Sequence, residues 1–297
     1  MKSAFTGKIA LGTANFGLHY GVKHGGQVSR EMSESILQAC RGFGIDTIDT
    51  AIGYGDSQKR LGEIGTRDFK VITKLPALPN DFTDVVGWVI GSVDQALIDL
   101  QREDLYGLLL HSSKDLLSDK GSKLAEGLQR AKTEYRIHKL GVSVYSPEEL
   151  LACAERLPLE LVQVPCNVFD QRFLAPEVTG TLKAHDAEIH ARSLFLQGLL
   201  LMPEQTRPHY FDAWRSTFES FQQQLTQGEA TPLEGCLAFA YTHPEIDRWV
   251  IGVDSVDQLN EIVRESLSAS SGSQAFDWHA FHSLPQELVN PSLWRLQ

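Results

Sequence analysis

The sequence predicts an α/β protein of one domain, a closed (β/α)8 or TIM barrel. Three observations carry the expectation: eight short β-rich runs, helical apolar patterns between them, and a length of 297 residues. Barrels of about 250 residues routinely stand as one domain. An open doubly wound sheet usually has fewer strands. If it bound dinucleotides it would also carry a glycine fingerprint after the first run, and Gly12-Thr13-Ala14-Asn15-Phe16-Gly17 has the wrong spacing for one. The whole chain, 1–297, is expected to form this domain, with a C-terminal tail from about residue 268.

The runs follow in order. Ile9-Ala10-Leu11 is first, Thr47-Ile48-Asp49 second, Lys70-Val71-Ile72-Thr73 third and Gly107-Leu108-Leu109-Leu110 fourth. Leu140-Gly141-Val142-Ser143, Leu161-Val162-Gln163-Val164, Glu188-Ile189-His190-Ala191 and Trp249-Val250-Ile251 complete the set. Between them, Ser29 to Phe43 places Ile36, Leu37, Ala39 and Cys40 on one helical face, with Ser29 as its cap. Val85 to Leu100 repeats the spacing, and Val256 to Leu267 closes the series. Ser146-Pro147-Glu148-Glu149 reads as a capping serine, a proline in the first turn and acids near the positive end of a helix dipole. The small polar stretch Ser266 to Gln274 reads as a surface loop.

Composition excludes several classes. The formal net charge is −11, so polyanions are repelled and neither nucleic acid nor an anionic membrane is an expected partner. The four cysteines, Cys40, Cys153, Cys166 and Cys236, form no CxxC pair, so no structural metal is expected. Buried free thiols are the plainer expectation. The N-terminal residues carry no long apolar run and do not read as a signal peptide, and no stretch approaches a membrane span. The expected location is the cytoplasm.

Chemistry in such a barrel sits at the C-terminal ends of the strands. Strand two ends in Asp49-Thr50-Ala51 with Tyr54 just beyond, strand three in Thr73-Lys74, and strand four in His111. Each residue alone has an ordinary reading: a turn aspartate, a loop aromatic, a solvated lysine, a core histidine. Together they suggest an acid. A free tyrosine has a pKa of about 10, and the Lys74 ammonium is expected to lower it. Asp49 would neutralise Lys74, and His111 would orient a substrate oxygen. Such a set can protonate a carbonyl oxygen as a hydride reaches the carbon. The hydride must come from a cofactor, because no side chain provides one.

These residues resemble the aldo-keto reductase family. Gly44-Ile45-Asp46-Thr47-Ile48-Asp49-Thr50-Ala51-Ile52-Gly53-Tyr54-Gly55 is similar to the family's strand-two signature, Ile72-Thr73-Lys74 to its lysine strand and Leu109-Leu110-His111 to its histidine strand. The likeness runs from Leu11 to about Leu267. It implies NADPH or NADH at the barrel mouth, a small-molecule carbonyl substrate, and Tyr54, Lys74, Asp49 and His111 as the catalytic tetrad. By the same likeness Gly12 and Thr13 lie under the nicotinamide, while Ser143 and Gln163 hold its carboxamide. Arg192 and Ser193 align with an aromatic-serine pair, and Phe195 and Gly198 belong to the loop over the pyrophosphate. Gly252, Val253, Asp254, Gln258 and Glu261 form the adenosine side.

Three departures stand out. Val144 occupies a position where the family commonly has asparagine. Arg192 replaces a stacking aromatic; a guanidinium plane can also stack on a ring, or pair with an acid at the barrel top. Asp254 and Asn260 stand where NADPH-using members often place basic residues, and an aspartate accepts a ribose hydroxyl while repelling a phosphate. Asn15, Phe16, Tyr20, Ile52 and Ser112 are the expected substrate contacts. Leu11 to Gly21 resembles a bacterial subgroup often found with surface-polysaccharide genes, which implies a sugar-like carbonyl compound. The tail aromatics Phe276, Trp278, Phe281 and Trp294 either close over the site or pack on the barrel. Two other readings remain open on the sequence: a nucleotide-binding regulatory barrel, and a metal-dependent barrel enzyme that would draw on His190 and Asp170.

Overall fold

A computed structural model describes residues 5–19, 21–22, 26–272 and 276–296, with backbone alone for 268–272. Tyr20 therefore lies outside the described residues. Eight parallel strands close into a barrel in sequence order. They are β1 (Ile9–Gly12), β2 (Thr47–Asp49), β3 (Lys70–Leu75), β4 (Asp104–Leu110), β5 (Arg136–Ser143), β6 (Leu161–Pro165), β7 (Glu188–Arg192) and β8 (Arg248–Gly252). Every expected run is a strand. β8 returns to β1 with Gly12 opposite Gly252, so the barrel has no open edge.

The helices are α1 (Ala14–Gly17), α2 (Arg30–Phe43), α3 (Ser57–Ile64), α4 (Val85–Leu100), α5 (Ser113–Leu117), α6 (Gly121–Glu134), α7 (Pro147–Ala154), α8 (Pro176–Ala184), α9 (Arg215–Gln227), α10 (Pro232–Tyr241), α11 (Val256–Gly272) and α12 (Gln286–Val289). Two start signals work as expected: Ser29 accepts from Met32 N at 3.2 Å and Ser146 from Glu149 N at 3.3 Å. Ile36, Leu37 and Cys40 on α2, and Val85, Val89, Val93 and Leu97 on α4, are buried against the barrel. Each such side chain contributes about 1.5–3 kcal/mol through its removal from water. All four cysteines are buried and free.

The expected loop from Ser266 to Gln274 is helix as far as Gly272; Ser273 and Gln274 fall outside the described residues. Tertiary packing overrides composition there. Ser266 is fully buried, its Oγ donates to Val263 O at 2.7 Å, and its carbonyl accepts from Tyr241 Oη on α10. The tail packs on the barrel flank. Trp278 and Phe281 are buried beside Phe221, and Trp294 stands edge-on to Phe211 at 4.9 Å. No described tail residue lines the cleft at the barrel mouth. Among the described residues no helix is long and apolar enough to cross a membrane.

Candidate active site

Parallel pairing continues beyond the strand ends and brings three polar groups to one rim. Thr50 N donates to Ile72 O at 2.9 Å, Ile52 N to Lys74 O at 3.1 Å, and His111 N to Leu75 O at 3.0 Å. Lys74 is fully buried. Its ammonium donates to Asp49 Oδ1 at 2.6 Å and to the Thr50 carbonyl at 2.9 Å. A buried cation without such partners would be costly. Asp49 Oδ2 accepts from Gln163 Nε2 at 2.7 Å, so both carboxylate oxygens are held.

Tyr54 sits in the turn between β2 and α3. Lys74 Nζ lies 5.2 Å from the centre of its ring, and the His111 ring stands edge-on to it at 5.7 Å. Two backbones in contact fix this turn. A Cβ on Gly17 would fall 1.7 Å from Tyr54 O, and one on Gly55, whose φ is +57°, would fall 2.5 Å from Gly17 O. Only glycines allow that approach. Ser57, the first residue of α3, donates to Thr13 O at 3.0 Å, and Thr13 Oγ1 donates to Asp49 O at 3.0 Å. The β1 turn, β2 and the start of α3 are thus tied beneath the tyrosine.

Electrostatics correct one expectation. Burial pushes the Tyr54 phenol well above its ordinary range, the Asp49 charge adds to this, and Arg192 pulls the other way. The expected lowering is not met: burial is the largest influence on the phenol, and Asp49 acts in the same direction. His111 moves down to about 4, chiefly through burial and then the Lys74 charge, so its imidazole is neutral near pH 7.

A cleft of about 410 Å³ opens above these groups, within the size range of small-molecule sites. Asp49, Tyr54, Gln163 and Arg192 line one end, and Asp254, Gln258 and Glu261 the other. Gly12, Thr13 and Gly252 lie between them, with Ser193, Phe195 and Gly198 on the β7 side. Gly252 leaves room for a bound group: a Cβ there would meet only Gly12 O, at 3.6 Å. Val22 N donates to Gln197 O at 3.3 Å and so joins the segments that follow β1 and β7.

Several expected contacts stand elsewhere. Phe16 is completely buried in the core and does not line the cleft, so an expected substrate contact is withdrawn behind the β1 turn. Asn15 does line it, but its amide donates to Val253 O at 2.7 Å and to Asp254 Oδ1 at 2.8 Å. Through that amide it braces the end of β8. Val253 and Ser143 are buried at strand ends beneath the cleft lining. Ile52 and Ser112 are half-buried in the turns after β2 and β4. Gln163, expected at a carboxamide, has its amide nitrogen on Asp49. Of the two readings of Arg192, the pairing with an acid is not met among the described residues: its guanidinium lies 4.1 Å over the Tyr145 ring and donates to Val144 O at 3.1 Å. Asp170 pairs with Arg172 at 2.8 Å, and His190 Nε2 lies 3.4 Å from Glu188.

Barrel, rim and cleft together define a (β/α)8 protein with one polar cleft at the mouth of the barrel. Residues 8–273 match the model of the Aldo/keto reductase family. The chain belongs to that family. A comparison with curated protein sequences gave no match. Among solved structures, the chain is similar to the aldo-keto reductase AKR11C1 from Bacillus halodurans in its holo form, with a TM-score of 0.71 and 17% identity over 90% of this chain and 91% of that one. It is also similar to the glycerol dehydrogenase AKR11B4 from Gluconobacter oxydans, with a TM-score of 0.66 and 20% identity over 94% of each chain. An aldo-keto reductase from Pseudomonas aeruginosa gives a TM-score of 0.65 and 22% identity over 88% of this chain and 90% of that one.

Proposed function

We propose that the chain reduces an aldehyde or ketone to an alcohol, with Tyr54 donating the proton. The observation that supports this most is the meeting of Tyr54, His111 and the Lys74–Asp49 pair, with Tyr54 and Asp49 lining one cleft. The cofactor is NADH or NADPH; when bound, it supplies the hydride.

The chain's own groups do the rest. A phenol raised by burial stays protonated at working pH and is ready to donate. Its proton moves to the substrate oxygen as negative charge develops there, a direction favoured because an alkoxide is far more basic than a phenolate. Neutral His111 donates a hydrogen bond to the same oxygen and fixes its position. Lys74 lies close enough to the ring for its charge to meet the phenolate left behind, and Asp49 holds it in place.

The residues fit a dinucleotide. Gly252 leaves an open floor. Thr13, Ser143, Gln163, Arg192 and Ser193 would surround the nicotinamide end. Phe195 and Gly198 would lie over the pyrophosphate, and Val253, Asp254, Gln258 and Glu261 would flank the adenosine. Arg192 has one face on Tyr145, so stacking on the nicotinamide would use the other. The test is a screen of aldehydes, ketones and keto-sugars with each nucleotide, followed by loss of nucleotide absorbance. Turnover with wild-type protein and none with Tyr54→Phe supports the reading; turnover in both removes Tyr54 from it.

A further inference from the structure

We propose that Arg192 binds an anionic group, a carboxylate or phosphate, on the carbonyl compound that this cleft reduces; this rests on the reduction proposed above. Two cations stand at the tetrad end of the cleft. Lys74 is buried and neutralised by Asp49 at 2.6 Å. Arg192 has no carboxylate within ion-pairing distance among the described residues, although the chain as a whole carries a net charge of −11.

Its guanidinium is also held ready. One N–H donates to Val144 O at 3.1 Å and one face rests 4.1 Å over the Tyr145 ring. That leaves most of its N–H donors without a partner among the described residues, in the fork geometry that suits a carboxylate. Arg192 and Tyr54 line the same cleft, and the guanidinium charge reaches both Tyr54 and His111. At the far end, Asp254 and Glu261 repel anions. A negatively charged substrate is therefore drawn to one end of the cleft, beside the proton donor.

One anion could come from a different source, the pyrophosphate of the dinucleotide, and the experiment separates the two. Butanal and 4-oxobutanoate share a chain length and differ by a terminal carboxylate. Wild-type protein is expected to favour 4-oxobutanoate in kcat/KM by about 10- to 100-fold, mainly through KM. In Arg192→Gln this ratio falls toward one, and Arg192→Lys restores part of it. Calorimetric titration with butanedioate, which cannot react, is expected to show binding at least about tenfold weaker in Arg192→Gln. ADP-ribose affinity is expected to be the same in both proteins. Loss of ADP-ribose affinity in Arg192→Gln would assign the arginine to the pyrophosphate and overturn the inference. Reduction of both aldehydes with equal efficiency would overturn it while leaving carbonyl reduction standing. Arg192-dependent butanedioate binding in a chain that reduces neither aldehyde would keep the anion site and remove the reductase reading.

Discussion

Gln163 reaches across the barrel from β6 and donates to Asp49 Oδ2 on β2 at 2.7 Å, while Lys74 holds the other carboxylate oxygen at 2.6 Å. The aspartate is thus fixed from two sides, and the glutamine acts as its second anchor. Gln163→Leu leaves a buried acceptor without its donor. The expected cost is about 1–3 kcal/mol of stability, read as a lowered urea midpoint with an unchanged slope. An unchanged midpoint would mean that a water or a neighbouring group takes over the bond.

The proton donor gives the plainest kinetic test. Tyr54→Phe removes one hydroxyl and keeps the ring beside His111 and Lys74. The chemical step should fall at least about 10²-fold, the lower end of what a positioned acid contributes, with dinucleotide affinity retained. Single-turnover rates and fluorescence titration separate the two effects. Wild-type rates in this variant would take the proton from elsewhere.

The buried ion pair should behave as a unit. Lys74→Met leaves Asp49 charged and held only by Gln163, which should cost about 3–5 kcal/mol. Adding Asp49→Asn removes that stranded charge, so the double variant should be more stable than Lys74→Met alone. Equilibrium denaturation of both singles and the double gives the coupling directly. Additive costs would show that the pair does not act as one.

His111 links folding to pH. Its folded pKa is about 4 against an ordinary value of 6.5. Between those values the unfolded chain binds a proton that the folded chain does not, so stability rises with pH there. The contribution is complete above 6.5. It is lost as the pH falls toward 4, by on the order of 2–3 kcal/mol after allowance for the ring's partial exposure. His111→Gln should flatten this part of the curve. The check is urea denaturation between pH 4 and 7, and an equal slope in both proteins would contradict it.

Backbone contact at the tyrosine turn can be probed with one methyl group. Gly17→Ala would place a Cβ against the Tyr54 carbonyl, whereas a Cβ on Gly53, one residue before Tyr54, meets nothing within 4 Å. Displacing a reacting group by about 1 Å can lower the rate on the order of 10²-fold. Gly17→Ala should therefore slow reduction by about that factor, and a folded Gly17→Ala protein with full activity would show that the turn can shift without moving the phenol. Gly53→Ala should leave the urea midpoint close to that of the wild type.

Much of this was readable along the chain. Strand-forming runs and helical spacing are local signals, and each of the eight runs became a strand. Asp49, Tyr54, Lys74 and His111 were legible because consecutive parallel strands deliver their ends to one rim. Contacts across the barrel were not. Gln163 and Asp49 are 114 positions apart, and no local pattern links them. Phe16 and Asn15 looked alike as loop residues near the site, yet one turned into the core and the other toward β8. The helix runs past Ser266, whose carbonyl is held by Tyr241 of α10, a contact no local pattern announces. The phenol's environment was misjudged for a related reason: burial depends on the closed barrel, and sequence shows only which charges lie nearby.

The closed strand order also separates labour along the chain. The proton-handling groups come from β2, β3 and β4, while β6 through β8 and the segments after them frame most of the remaining cleft. Gln163 is the thread between these regions. A lineage could therefore retailor the later loops toward new molecules while the acid stays untouched, provided that one amide is inherited along with it.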